Sequence, residues 1–128
     1  MKQILKQMIE RSTDLDRAFH ALADATRRGI LDRLSQGPAS VSELAEPYTS
    51  SLAAIHQHVQ VLEASGLIIT QKLGRTRECR ISSDAVLRVE RWLNERRQLW
   101  EYRLDQLGRM VESEARQAES GATAKKGD

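Results

Sequence analysis

Residues Ser40 to Ile81 run SVSELAEPYTSSLAAIHQHVQVLEASGLIITQKLGRTRECRI. Ser40-Val41-Ser42-Glu43 has capping-box spacing: a hydroxyl that accepts from first-turn amides, with a glutamate three residues on that reaches back. A short helix from about Val41 to Ala45 is expected, closed by Pro47. Tyr48 to Ser50 form a turn. Ser51 then caps a longer helix whose Ala54, Ile55, Val59 and Leu62 share one face, and Gly66 ends it. After Gly66 the pattern shortens to two β-type runs, Leu67–Lys72 and Arg77–Ile81, joined by Leu73-Gly74-Arg75-Thr76.

Short helix, turn, second helix and basic hairpin, in that order, spell a winged helix-turn-helix. Its second helix presents N-terminal side chains to base edges in the major groove, and the hairpin reaches neighbouring phosphates or the minor groove. The core stripe of the 51–64 helix leaves Ser51, Leu52, Ala53, His56, Gln57 and Gln60 facing outward. Gln57 can pair with N6 and N7 of adenine, His56 can donate to guanine, and the Ser51 hydroxyl with the first-turn amides suits a phosphate. A solvated polar helix face is the plainer account of the same residues. The wing brings Lys72, Arg75, Arg77 and Arg80 into nine residues against one acid, Glu78, an excess that attracts phosphate and makes binding salt-sensitive.

Outward from this segment, the apolar residues of Lys2–Ala23 recur at helical steps, with Ser12, Thr13 and Asp14 interrupting them. A short leading helix is expected, restarting near Asp14. Another helix follows Asp24, a candidate cap, and stops at Gly37-Pro38. Arg27 and Arg28 open it, where one can touch the DNA backbone; surface charge is an equally good account. From about Asp84 a long helix carries Val86, Val89, Trp92, Leu93, Leu99, Trp100, Leu104, Leu107 and Val111, a stripe too long for so small a body to cover, which asks for a partner. Trp92 and Trp100, eight residues apart on one face, suit dimer packing. The expected fold is mainly α, with a two-stranded β-hairpin wing and N- and C-terminal dimerisation helices. One DNA-binding and dimerisation domain spans 1–112. The tail, 113–128, lacks large apolar side chains and is expected to be disordered.

Whole-chain properties agree. At 128 residues the chain is the size of one domain, and 4% aromatic against 30% charged residues favours amphipathic helices over a sandwich or barrel. A net charge of +2 says little; where the charges sit says more. A single cysteine, Cys79, excludes an internal disulfide and a cysteine-pair metal site. No run approaches the roughly 20 apolar residues of a membrane span, so a soluble, cytoplasmic protein is expected. No Gly-rich phosphate loop, nucleophile elbow or oriented His or Cys is present, and no enzyme is expected.

Three segments in order, Ala21–Leu31 (ALADATRRGIL), Val41–Ala45 (VSELA) and Ile55–Ile68 (IHQHVQVLEASGLI), resemble the ArsR/SmtB family of bacterial regulators, the likeness running from about Leu15 to Val111. The resemblance implies a homodimer joined through its first and last helices, binding duplex DNA upstream of genes, with repression commonly relieved by an effector. It departs from metal-sensing members. Those carry paired cysteines before the recognition helix, or His and acidic ligands on the final helix; here Val41–Glu46 holds no thiol and the final helix no histidine. His56 and His58 point about 200° apart on their helix and cannot chelate one ion. No metal and no cofactor are expected. His58 is expected to pack or hydrogen-bond at the helix base.

Two other readings stay open. The first is a winged-helix protein-interaction module that binds DNA weakly or not at all. The second is a redox-responsive repressor, because Arg77 and Arg80 flank Cys79 and can lower its pKa. A small-molecule effector at the dimer interface is compatible with the sequence, but no spacing identifies it.

Overall fold

A computed structural model describes residues 1–126, with side chains described to residue 121. The chain divides into two compact units, one ending at Glu90 and one beginning at Arg91. The elements are α1 (Lys2–Leu22), α2 (Ala25–Leu34), β1 (Ala39–Ser40), α3 (Val41–Ala45), α4 (Leu52–Ala64), β2 (Ile68–Leu73), β3 (Thr76–Ile81) and α5 (Asp84–Lys126).

The expected break near Ser12–Asp14 is absent, and α1 runs unbroken. Thr13 Oγ1 donates to the Ile9 carbonyl at 2.9 Å, so its hydroxyl is satisfied within the helix rather than diverting the backbone. The Asp24 carboxylate accepts from the Arg27 amide at 3.0 Å and opens α2. Arg27 and Arg28 in turn reach back over the end of α1. Arg27 Nε donates to Ala21 O at 2.8 Å, Arg27 Nη2 to His20 O at 2.9 Å and Arg28 Nη1 to Leu22 O at 2.8 Å. They cover the last carbonyls of α1, of which His20 O also accepts from the Ala23 amide, a role that neither DNA contact nor surface charge describes.

Both short-range caps in the deciding segment form. Ser40 Oγ accepts from the Glu43 amide at 3.2 Å and contacts Glu43 Oε1, also at 3.2 Å; Ser51 Oγ accepts from the Ala54 amide at 3.1 Å. At the far end of α4, Gly66 takes φ +79°, a left-handed value. The Gly66 amide donates to Glu63 O at 3.0 Å and the Leu67 amide to Leu62 O at 3.1 Å, the paired bonds of a Schellman stop. Leu62 and Leu67 are both fully buried.

The wing strands pair antiparallel from Ile68↔Ile81 to Leu73↔Thr76 around a two-residue loop, Gly74-Arg75. Gly74 has φ +64°, and a positive φ at the first loop position twists with the strands. The sheet has three strands in the order β1-β3-β2, not two, because Ala39 and Ser40 pair with Cys79 and Glu78. Two residues after Gly37-Pro38 are too few to signal a strand by pattern. In the first unit the core gathers Ala18 and Ala21 of α1, Ile30 of α2, Leu44 of α3, Ile55, Val59 and Leu62 of α4, Ile68 and Cys79 of the sheet, and Ala85 and Val89 of α5.

From Arg91 to Lys126 the chain is α5 alone. The Arg96 guanidinium lies 4.4 Å from the centroid of the Trp92 ring, and Trp100, Leu104, Leu107 and Val111 are each more than half exposed. The helix continues beyond residue 112 into the segment expected to be disordered. Glu114, Ala115, Arg116, Gln117, Ala118 and Glu119 are good helix formers, and Arg116 pairs with Glu112 one turn back at 4.0 Å. Residues 127 and 128 of that tail lie outside the described residues. No helix among the described residues is long and apolar enough to cross a membrane.

Candidate nucleic-acid interface

With Ile55, Val59 and Leu62 in the core, the opposite side of α4 is held open. Ser51, Leu52, Ala53, His56, Gln57 and Gln60 are all exposed, as are Lys72, Arg75 and Arg77 of the wing. Leu52, half exposed on the first turn of α4, offers the apolar contact that a thymine methyl takes. The Ser51 hydroxyl oxygen is engaged by the Ala54 amide, which leaves its proton to donate, while helix geometry gives the Leu52 and Ala53 amides no acceptor within α4.

The wing register sorts its cations. Lys72 pairs directly with Arg77 and Thr70 with Cys79, so these four share the face that also carries buried Ile68. Arg75 sits in the loop. Arg80 points to the other face and pairs with Glu78 at 3.0 Å, which reduces the basic excess read from the sequence. A cleft of about 340 Å³ between α4 and β3 is lined by His56, Val59, Gln60, Glu63, Ala64 and Arg77. It brings one expected base reader, His56, and the outward-facing Gln60 together with one expected phosphate contact, Arg77; Ser51, Leu52, Ala53, Gln57, Lys72 and Arg75 lie outside it.

A group that no local sequence spacing signals ties this cleft. Thr70 Oγ1 donates to Glu63 Oε2 at 2.9 Å, Arg77 Nε donates to Thr70 Oγ1 at 3.0 Å, and Arg77 Nη2 lies 3.9 Å from Glu63 Oε1. Only the hairpin register places Thr70 diagonally from Arg77, and no local spacing relates either to Glu63.

His58 behaves as expected at the base of α4. Its Nδ1 is 3.3 Å from Arg27 Nη1 and 3.8 Å from Asp24 Oδ2. The Asp24 carboxyl is held below its ordinary pKa, chiefly by the Arg27 amide it accepts from, with the charges of Arg27 and His58 adding to the effect against some desolvation.

The expectation that Arg77 and Arg80 lower the Cys79 pKa is corrected. The thiol is fully buried, and burial pushes its pKa up; the Arg77 charge pulls the other way but is outweighed, while Glu63 and Glu78 add to the rise. A buried, protonated thiol is a poor oxidant sensor. Among the described residues no group of three or more His, Cys, Asp or Glu is placed to hold a metal ion.

A family model for a helix-turn-helix domain matches residues 22–71, which span α2 to β2. The HTH-type transcriptional regulator Rv2034 of Mycobacterium tuberculosis is 45% identical over 62 residues, 48% of this chain and 58% of that relative, so little more than half of the relative's length is matched. The crystal structure of the ArsR family transcriptional regulator RHA00566 is 49% identical and superposes with a TM-score of 0.68 over 70% of this chain and 93% of that one. The homodimeric winged helix-turn-helix DNA-binding domain of Mb0332 from Mycobacterium bovis is 26% identical, with a TM-score of 0.54 over 73% of this chain and 86% of that one. With 49% identity over an aligned region that covers 93% of a solved member, this chain belongs to the ArsR family of transcriptional regulators.

Proposed function

We propose that the protein acts in the cytoplasm as a homodimeric repressor that binds an imperfect palindromic operator in duplex DNA. The α4 segment 51–64 enters the major groove and the wing 67–81 lies on flanking DNA. Ser51, Leu52, Ala53, His56, Gln57 and Gln60 face the groove, and Lys72, Arg75 and Arg77 face phosphates. The observation that carries this reading is the shared cleft, in which His56 and Gln60 of α4 stand beside Arg77 of the wing. One duplex can meet both elements at once.

Dimerisation is supported by the apolar side chains that α1 and α5 leave in solvent. Ile4, Leu5, Met8 and Ile9 on α1 are each more than half exposed, as are Trp100, Leu104 and Leu107 on α5. Surfaces of this kind mark protein contacts. The homodimeric state of the Mycobacterium bovis domain points the same way. Two recognition helices about one helical turn apart then fit two half-sites.

The test is fluorescence anisotropy with the DNA upstream of its own gene and with a duplex selected in vitro from a random library, each against a scrambled competitor at two salt concentrations. Binding that is selective and falls steeply with salt supports the reading. Equal binding to the selected and scrambled duplexes overturns it. Sedimentation of the free protein checks the dimer.

A further inference from the structure

Glu63, Thr70 and Arg77 come from three different elements and meet at one edge of the α4–β3 cleft. A threonine hydroxyl has one proton to give, and Thr70 gives it to Glu63 at 2.9 Å while accepting from Arg77 Nε at 3.0 Å. The polarity of the relay is therefore set: arginine to threonine to carboxylate. The Arg77 and Glu63 side chains remain 49% and 42% exposed, so the group is accessible to DNA entering the cleft.

We propose that Glu63 restrains DNA binding by holding Arg77, through Thr70, in competition with a backbone phosphate. The inference rests on the operator-binding reading above. A guanidinium grips a phosphate best with two parallel N–H bonds, and Nε commonly supplies one of them. In the free protein Thr70 occupies that Nε, so a two-point grip through this edge requires Arg77 to leave the relay. The Glu63 carboxylate also lies in the same cleft and repels an arriving phosphate. Its 3.9 Å approach to Arg77 in a solvated setting is a weak attraction, of the kind a phosphate can displace. Glu63 thus sets how readily the wing engages, without contacting DNA itself.

The experiment measures affinity and salt dependence on the in-vitro selected duplex for wild type, Glu63→Gln, Arg77→Ala and the double variant. Glutamine retains a carbonyl for Thr70 and removes the charge. Glu63→Gln is expected to bind about 3- to 10-fold tighter, with the slope of log K against log salt steeper by up to about 0.9, the increment for neutralising one more phosphate. In the Arg77→Ala background the same substitution is expected to gain less than about 2-fold. In the free wild-type protein the Arg77 Nε–H should be protected from exchange in 15N spectra by its bond to Thr70, and on DNA its 1H and 15N shifts should change as a phosphate oxygen replaces Thr70 Oγ1 as the acceptor. An unchanged affinity in Glu63→Gln, an equal gain with and without Arg77, or Arg77 Nε–H shifts that are the same with and without DNA overturns the inference and leaves operator binding standing. Failure of the wild type to prefer the selected duplex overturns both.

Discussion

Gly29 of α2 lies against the hydroxyl of Tyr48, so near that a β-carbon at position 29 would overlap the tyrosine oxygen. Tyr48 belongs to the turn between α3 and α4 and packs on the core, so its rigid ring has little room to withdraw. Glycine in a helix ordinarily costs about 1 kcal/mol relative to alanine. Here that ordering should invert: Gly29→Ala should destabilise the protein, since overpacking typically costs about 1–3 kcal/mol. Tyr48→Phe removes only the oxygen, and the next ring atom stands at 3.6 Å, an ordinary van der Waals distance. In that background Gly29→Ala should become stabilising by up to about 1 kcal/mol. Urea unfolding of the four proteins at one fixed concentration checks the reversal, and a Gly29→Ala single variant more stable than wild type would contradict it.

Asp24 should make stability sensitive to acid. Its carboxyl titrates lower in the folded protein than in the unfolded chain, chiefly because the Arg27 amide donates to the charged form. The contribution is therefore complete above the unfolded-chain aspartate pKa and is lost as pH falls through the lower, folded value. Asp24→Asn retains a capping oxygen but cannot titrate. Urea midpoints measured from neutral pH into the acid range should fall less steeply for the variant than for wild type; parallel curves would remove Asp24 from the acid response.

Cys79 should be chemically quiet. With the thiol fully buried and its pKa raised, Ellman's reagent should react slowly in buffer and rapidly once urea opens the fold. Cys79→Ala should cost about 1 kcal/mol, the order expected for removing one buried methyl-sized group. It should leave DNA affinity and its response to peroxide unchanged. Fast labelling of the native protein would restore a redox role.

The contrast between Cys79 and Ser51 shows what the sequence could carry. Ser51 announces itself locally: its hydroxyl meets an amide three residues away, and Ser40 and Asp24 do the same, so these helix starts were legible from spacing alone. Cys79 was read by its neighbours along the strand, Arg77 and Arg80. The strand pleat, however, sends Arg80 to the opposite face, and the core closes over the sulfur. The same limit hid the Glu63–Thr70–Arg77 relay and the capping of α1 by Arg27 and Arg28, whose partners follow from register and helix crossing rather than from sequence distance. The α1 helix runs unbroken through Ser12 and Thr13 because these residues disfavour helix interiors only when their side chains divert the backbone, and Thr13 bonds back to Ile9 instead.

Gln57 and Arg75 should separate base reading from phosphate binding. Gln57 is exposed on α4, while Arg75 occupies the tip of the wing loop, and neither lines the α4–β3 cleft. An amide that pairs with adenine discriminates among base pairs by about 1–3 kcal/mol, whereas a guanidinium on phosphate carries charge but no sequence information. Gln57→Ala should therefore weaken the selected duplex by about 5- to 100-fold while barely changing the scrambled one, leaving the salt slope as it was. Arg75→Ala should weaken both duplexes by similar factors and flatten the salt slope by about 0.9 for each phosphate that the arginine neutralises in the wild type. Anisotropy titrations of both variants across a salt series provide the comparison. If Gln57→Ala weakened both duplexes alike, the residue would be touching the DNA backbone, and base reading would have to come from His56, Gln60 or the Leu52 side chain.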